Sequence, residues 1–234
     1  MTILSELQGM LEAVAGALGP ELCQQMTFVG GCTTGLLLTD DFTKEGVRYT
    51  DDVDLIVNTI GYAGFHKLQQ DLMEKGFTIP EPGFTEATPI CAMMLGDLRV
   101  DFMPDDENVL GFTNRWYTAA TQTATLYHLT KEMKIRLVTP VYFLATKLEA
   151  YHGRGNGDAL SSRDIEDILT LVDGSEDLLE EVEQAESEVR AYIASNLETL
   201  LKDSNFENAV YSQSRGDRDR ADLIFERLEA LSSC

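Results

Sequence analysis

A chain of 234 residues has material for one large domain or two small ones. Forty acidic against eighteen basic residues leave a net charge of −22, which repels phosphate backbones and anionic membranes, so a nucleic-acid substrate would need a local basic patch. Cys23, Cys32, Cys91 and Cys234 are scattered without Cys-X-X-Cys or Cys/His metal spacing, and neither a signal-peptide pattern nor a run of about twenty apolar residues is present, so the expected location is a reducing cytoplasm.

In chain order, Leu4, Leu7, Leu11, Val14, Ala15 and Leu18 recur with a helical period, and Gly19-Pro20 ends the pattern. Thr27–Val29 is expected to be the first buried strand, and Thr33–Leu38 a helix whose N-terminus faces a phosphate site. A polar loop is expected from Asp40-Asp41 to Val47, then a strand through Asp52 and Asp54 into Leu55, Ile56 and Val57. Phe65, Leu68, Leu72 and Met73 place a helix over Gly61–Lys75, closed by Gly76, and Pro80, Pro82 and Gly83 mark a turn. Ile90–Leu95 and Leu98–Met103 are apolar runs joined by Gly96-Asp97, a hairpin signal. Gly111–Tyr117 leads into a helix start. Strands are expected over Ala124–Leu129 and Lys134–Val138, and a helix over Val141–Tyr151 with Pro140 in its first turn. After a flexible loop from His152 to Asp158, helices resume at Ser162 and run to the end. Leu178, Leu179, Val182, Val189, Ile193 and Leu197 are expected on one face, and Asp217–Leu231 forms the last helix.

Two features carry chemistry. Gly30 and Gly31 stand where a strand turns tightly into a helix, and glycine there lets a phosphate approach the backbone. Asp52 and Asp54 flank Val53 and point to one side of their strand, while Val53 points to the core. Adjacent carboxylates repel unless a cation sits between them, and the natural cation is magnesium, which shares oxygen ligands with substrate phosphates. Asp101, in an otherwise apolar strand, adds a third ligand, and three carboxylates are enough to hold two metal ions about 4 Å apart. The alternative for Asp101 is a strand-end carboxylate that pairs with Arg99 or caps the following turn. Asp97, Asp105 and Asp106 are expected in turns, and His66, His128 and His152 share no metal-binding spacing. Gly153, Gly155 and Gly157 lack the Gly-Lys-Ser/Thr ending of a phosphate-binding loop.

Gly30-Gly31 followed by Arg48-X-Thr50-X-Asp52-X-Asp54 resembles the nucleotidyltransferase fold of polymerase-beta-like enzymes, in particular the abortive-infection toxins of the AbiEii/AbiGii type. The resemblance spans roughly residues 25 to 175. It implies an α+β fold, a nucleotidyltransferase-type mixed sheet flanked by helices over residues 1–138, with a helical C-terminal part over 139–234. It also implies a magnesium-dependent transfer of a nucleoside monophosphate from a nucleoside triphosphate to an acceptor hydroxyl, with two Mg2+ ions on Asp52, Asp54 and Asp101. Gly30, Gly31, Thr33 and Arg48 fall on the nucleotide side. Lys147 matches a family lysine beside the triphosphate, and Arg163, Asp164 and Asp167 match an Arg/Lys-Asp-X-X-Asp pattern that puts both carboxylates on one helical face to orient Lys147 or Arg154, or to serve as acid or base. Members of this kind are bacterial toxins paired with an antitoxin, and their acceptors include transfer RNA, proteins and small molecules. Arg48, Arg99, Arg115, Lys131, Lys134, Arg136, Lys147, Arg154 and Arg163 cluster near the motifs in sequence, which suits a triphosphate with a compact acceptor better than long RNA. The alternative is a catalytically silent nucleotide-binding or partner-binding protein of the same fold.

Overall fold

The computed structural model describes residues 2–59, 61–80, 89–111, 113–154 and 157–234, and of Arg154 its backbone. Pro82, Gly83, Phe112, Gly155 and Asn156, and the Arg154 side chain, on which some of the expectations above fall, lie outside what is described. The chain forms two compact units, Met1–Thr33 with Tyr49–Val138, and Thr34–Arg48 with Thr139–Cys234. Residues 34–48 therefore fold with the C-terminal helices, an excursion for which the hydrophobic pattern gave no sign.

The first unit is built on a six-stranded mixed sheet. Helix α1 (Ile3–Cys23) starts at the Thr2 cap and buries Leu7, Leu11, Val14 and Leu18 against strand β1 (Met26–Val29) and two other strands. Gly19 interrupts the helix with φ 75°, and Pro20 starts its last turn, a position where a missing N–H has no cost. Past β1 the chain turns through a 3-10 helix, Gly31–Leu36, two residues earlier than the helix expected over Thr33–Leu38. The Thr33 N–H and hydroxyl both close back onto the Gly30 carbonyl, a three-residue closure that fits the tighter winding.

In the second unit, the loop expected over residues 40–47 contains one helical turn, α2 (Asp41–Lys44), capped by Asp40, which accepts from the N–H groups of Phe42 and Thr43. Back in the first unit come β2 (Asp52–Val57), α3 (Gly61–Glu74), β3 (Ala92–Leu95), β4 (Leu98–Pro104), the short α4 (Glu107–Leu110), α5 (Tyr117–Thr123), β5 (Thr125–His128) and β6 (Lys134–Leu137). Strand order is β3-β4-β2-β1-β6-β5. β2 pairs parallel with β4 and antiparallel with β1, and Leu95 meets Leu98 across the two-residue turn at Gly96-Asp97. Phe28, Val53, Leu55, Val100 and Phe102 are fully buried, and Phe77 packs edge-on to Phe102. Asp106 caps α4 and also accepts the Gly61 N–H, while Asp105 accepts from the Asn58 side-chain amide.

The helical part of the second unit comprises α6 (Pro140–Arg154), α7 (Arg163–Gly174), α8 (Leu178–Gln184), α9 (Ser187–Leu200), α10 (Ser204–Gln213) and α11 (Arg218–Ser232). α6 runs three residues past Tyr151, so His152, Gly153 and Arg154 are helical, where a loop was expected. The apolar set from Leu178 to Leu197 is divided between α8 and α9, with Leu179 half-buried. Gly174 accepts the N–H groups of Thr39 and Asp40 on its carbonyl, and a Cβ there would stand 2.7 Å from Thr43 Cγ2, so this glycine lets the 34–48 segment seat on α7. Among the described residues no helix is long and apolar enough to cross a membrane.

Candidate functional site

Gly30, Gly31, Thr33, Asp52, Asp54 and Asp101 belong to the sheet unit, and Arg48, Lys147, Asp164 and Asp167 to the helical unit. On the sheet, the parallel register sets Asp52 beside Arg99 and Asp54 beside Asp101. Alternation along each strand then turns these four side chains to one face, while Val53 and Val100 are buried on the other. Each of the three aspartates offers an oxygen within 4.8 Å of the other two. Asp101 is buried, and Asp52 and Asp54 are half-exposed.

The surrounding residues fix this corner. Gly30 has φ 77°, and a Cβ on it would lie 1.9 Å from Asp54 Oδ2. Glycine is thus required twice over, by the left-handed backbone and by the carboxylate that fills the space a side chain would take. Gly31 does not share the positive φ and simply begins the 3-10 helix. The buried Thr50 hydroxyl donates a short hydrogen bond to Asp52 Oδ1. Thr50 lies just outside β2, two residues before Asp52, so strand alternation gave no sign of this contact. Arg99 forks onto Asp101, Nε donating to Oδ1 at 2.9 Å and Nη2 to Oδ2 at 2.7 Å. The pair that stood as the alternative for Asp101 is therefore present, on the same carboxylate that completes the triad.

Two thiols near the corner are poor ligands. Burial, reinforced by Asp54 and Asp52, raises Cys32 far above the ordinary thiol range, and burial followed by Asp101 pushes Cys91 up to about 12. Both stay protonated at neutral pH, so the donor set is all oxygen, and three clustered carboxylates suit a hard divalent cation such as magnesium.

The helical unit holds a different constellation. Ser162 caps α7, whose first turns present Asp164 and Asp167, three apart on one face, to α6. Lys147 Nζ, buried on α6, lies 3.2 Å from Asp164 Oδ1 and 2.6 Å from Asp167 Oδ2. Arg48 pairs with Asp167 through both oxygens, Nε to Oδ1 and Nη2 to Oδ2, each at 2.8 Å. Two cations and two carboxylates form one buried cluster, while Arg163 is exposed. Of the other basic residues near the motifs, Arg136 donates to the carbonyls of Gln24 and Thr121, and Arg115 lies over the Trp116 ring.

No protein-family model matches the sequence, and no curated protein matches it. Among solved structures, an antigenic nucleotidyltransferase-like protein from Paracoccidioides brasiliensis is similar, with a TM-score of 0.50 at 19% identity over 94% of this chain and 93% of its own. At this identity the likeness speaks for the fold: a mixed sheet flanked by helices, followed by C-terminal helices, of the nucleotidyltransferase-like kind.

Proposed function

We propose that the protein is a magnesium-dependent nucleotidyltransferase that moves a nucleoside monophosphate from a nucleoside triphosphate to an acceptor hydroxyl. The observation that carries this reading is the carboxylate corner: three aspartates on adjacent parallel strands, within 4.8 Å of one another, beside a turn where Gly30 leaves room for the Asp54 carboxylate. Asp52, Asp54 and Asp101 would hold the metal, with Thr50 fixing the orientation of Asp52. Bound magnesium would neutralise charge on the attacking and leaving oxygens. A bond forms between the acceptor oxygen and the α-phosphorus, and the bond from that phosphorus to the bridging oxygen breaks. The acceptor's proton passes to a carboxylate of the corner, and diphosphate leaves. From the resemblance to AbiEii/AbiGii-type toxins, Gly30, Gly31, Thr33 and Arg48 serve the nucleotide and Lys147 offsets charge on the diphosphate, its ammonium set by Asp164 and Asp167. The same resemblance supports a toxin role in a bacterial cytoplasm with an antitoxin partner. The net charge of −22 favours a compact acceptor over long RNA.

The second reading, a catalytically silent nucleotide-binding protein, draws on one observation: both oxygens of Asp101 are engaged by Arg99. Labelled triphosphates with Mg2+, offered in parallel to total transfer RNA, total protein and a small-metabolite extract, separate the two. The expected result is label on a compact acceptor with release of diphosphate. Asp54→Asn is expected to reduce transfer by about three orders of magnitude or more, roughly 4 kcal/mol in barrier, with the melting temperature level or higher because repulsion is relieved. Label confined to transfer RNA overturns the choice of acceptor, and nucleotide binding without diphosphate release favours the silent protein.

A further inference from the structure

Arg99 occupies the carboxylate that a metal would need. Its fork takes one oxygen of Asp101 with Nε and the other with Nη2, the planar bidentate arrangement that is the strongest pairing a guanidinium makes. A cation reaching Asp101 must displace or share at least one of these bonds. Arg99 is thus a cation paired to one of three carboxylates that crowd within 4.8 Å of one another, and its positive charge offsets part of their repulsion. The Arg99 side chain is 43% exposed against 10% for Asp101. It reaches in from solvent and is not locked by packing, so its head can leave while its strand position stays fixed.

We infer that Arg99 is a counter-ion switch: it neutralises Asp101 when the corner holds no cation, and when a divalent cation takes that place it is released onto the phosphate oxygens of the triphosphate. This rests on the proposed nucleotidyltransferase reading and extends it to the order of assembly. The same fork that fits a carboxylate fits a phosphate, and a triphosphate held by the Asp52–Asp54–Asp101 metal would lie beside the strand position from which Arg99 extends. Each ligand then favours the other. The cation frees Arg99 for the phosphates, the phosphates draw Arg99 off Asp101, and by linkage the two effects on affinity are equal. Either ligand alone binds weakly, and the pair binds tightly.

Arg99→Met, which keeps the apolar stem and removes the fork, gives opposite signs in two titrations. Mn2+ alone, followed by the spin-resonance signal of the free ion, is expected to bind the variant about tenfold more tightly than the wild type, because its competitor is gone. Inorganic triphosphate added with saturating Mn2+ is expected to bind about tenfold more weakly, both changes lying within the 5- to 150-fold range, roughly, of typical coupling. Arg99→Lys, which keeps the charge without the fork, falls between, and it stands in if the methionine variant is poorly folded by its melting curve. Asp101→Asn reports whether the Mn2+ is bound at this corner. If Arg99 merely props Asp101, Mn2+ alone binds the methionine variant more weakly than the wild type, and the switch is overturned while the metal site stands. If the wild type and both Arg99 variants bind no Mn2+, the nucleotidyltransferase reading falls, and the switch with it.

Discussion

The two charged constellations of this protein differ in balance. On the sheet, three carboxylates crowd within 4.8 Å of one another beside the half-exposed guanidinium of Arg99, whereas in the helical unit Lys147 and Arg48 pair with Asp164 and Asp167 largely out of water. A balanced buried cluster has its ligands built in, and removing one member exposes its partners to the full cost of an uncompensated buried charge. An unbalanced corner at the surface tolerates the loss of a charge and gains from a foreign cation. Other carboxylates of the helical unit also serve the fold: Asp40 caps α2, and Asp173 takes Arg220 at 2.9 Å. Those of the sheet corner cluster closely enough that they could hold a metal ion.

The sharpest way to break this contrast is Lys147→Met. It removes the cation held between two buried carboxylates, and the expected loss is about 3–5 kcal/mol of stability by urea unfolding. Adding Asp164→Asn should recover part of it, since the second change removes a charge that the first left unbalanced. A single variant as stable as the wild type would break the contrast, and slowed transfer by the folded variant would support the lysine's proposed part in the phosphate chemistry.

Gly30→Ala tests the other side, where what positions a ligand is the absence of a side chain. The left-handed backbone alone costs about 1–2 kcal/mol, and the new methyl must also evict the Asp54 carboxylate from 1.9 Å. Mn2+ binding is expected to fall along with the melting temperature. Retained Mn2+ affinity would mean that Asp54 is dispensable as a ligand.

The smallest effect is expected at Asp40→Ala, about 1 kcal/mol for a lost cap. Hydrogen bonds from the Thr43 hydroxyl and then the Thr43 N–H hold the Asp40 carboxyl down to about 2, from an ordinary 3.8. A depressed carboxyl contributes stability that is fully present above its unfolded value and is lost as pH falls through its folded one. The gap between wild type and variant should therefore be constant above about pH 5 and close between about pH 4 and 2. A gap that persists unchanged at pH 2 would assign the effect to packing and not to the ionised cap.

The sheet side of the site was legible because it is local. A strand alternates with period two, so Asp52 and Asp54 share a face by arithmetic, and the apolar run around Asp101 marks that carboxylate as out of place. The Gly96-Asp97 hairpin, the Pro140 helix start and the break at Gly19 were likewise visible, since each depends on backbone preferences carried by one or two residues. What lay further off was not. That β4 lies parallel to β2 and in the register that sets Asp101 beside Asp54 is decided by strand pairing across more than forty residues. Gly30 was read as room for a phosphate, and only the fold shows that Asp54 fills the space beside it. Residues 34–48 join the helical unit because Gly174 has no side chain to exclude Thr43, a fact about two positions 131 apart. Lys147 between two aspartates on the next helix follows the same rule. A sequence determines which groups a segment offers and which way they face, while partners brought from distant segments decide whether a charge is spent on the fold or left for a ligand.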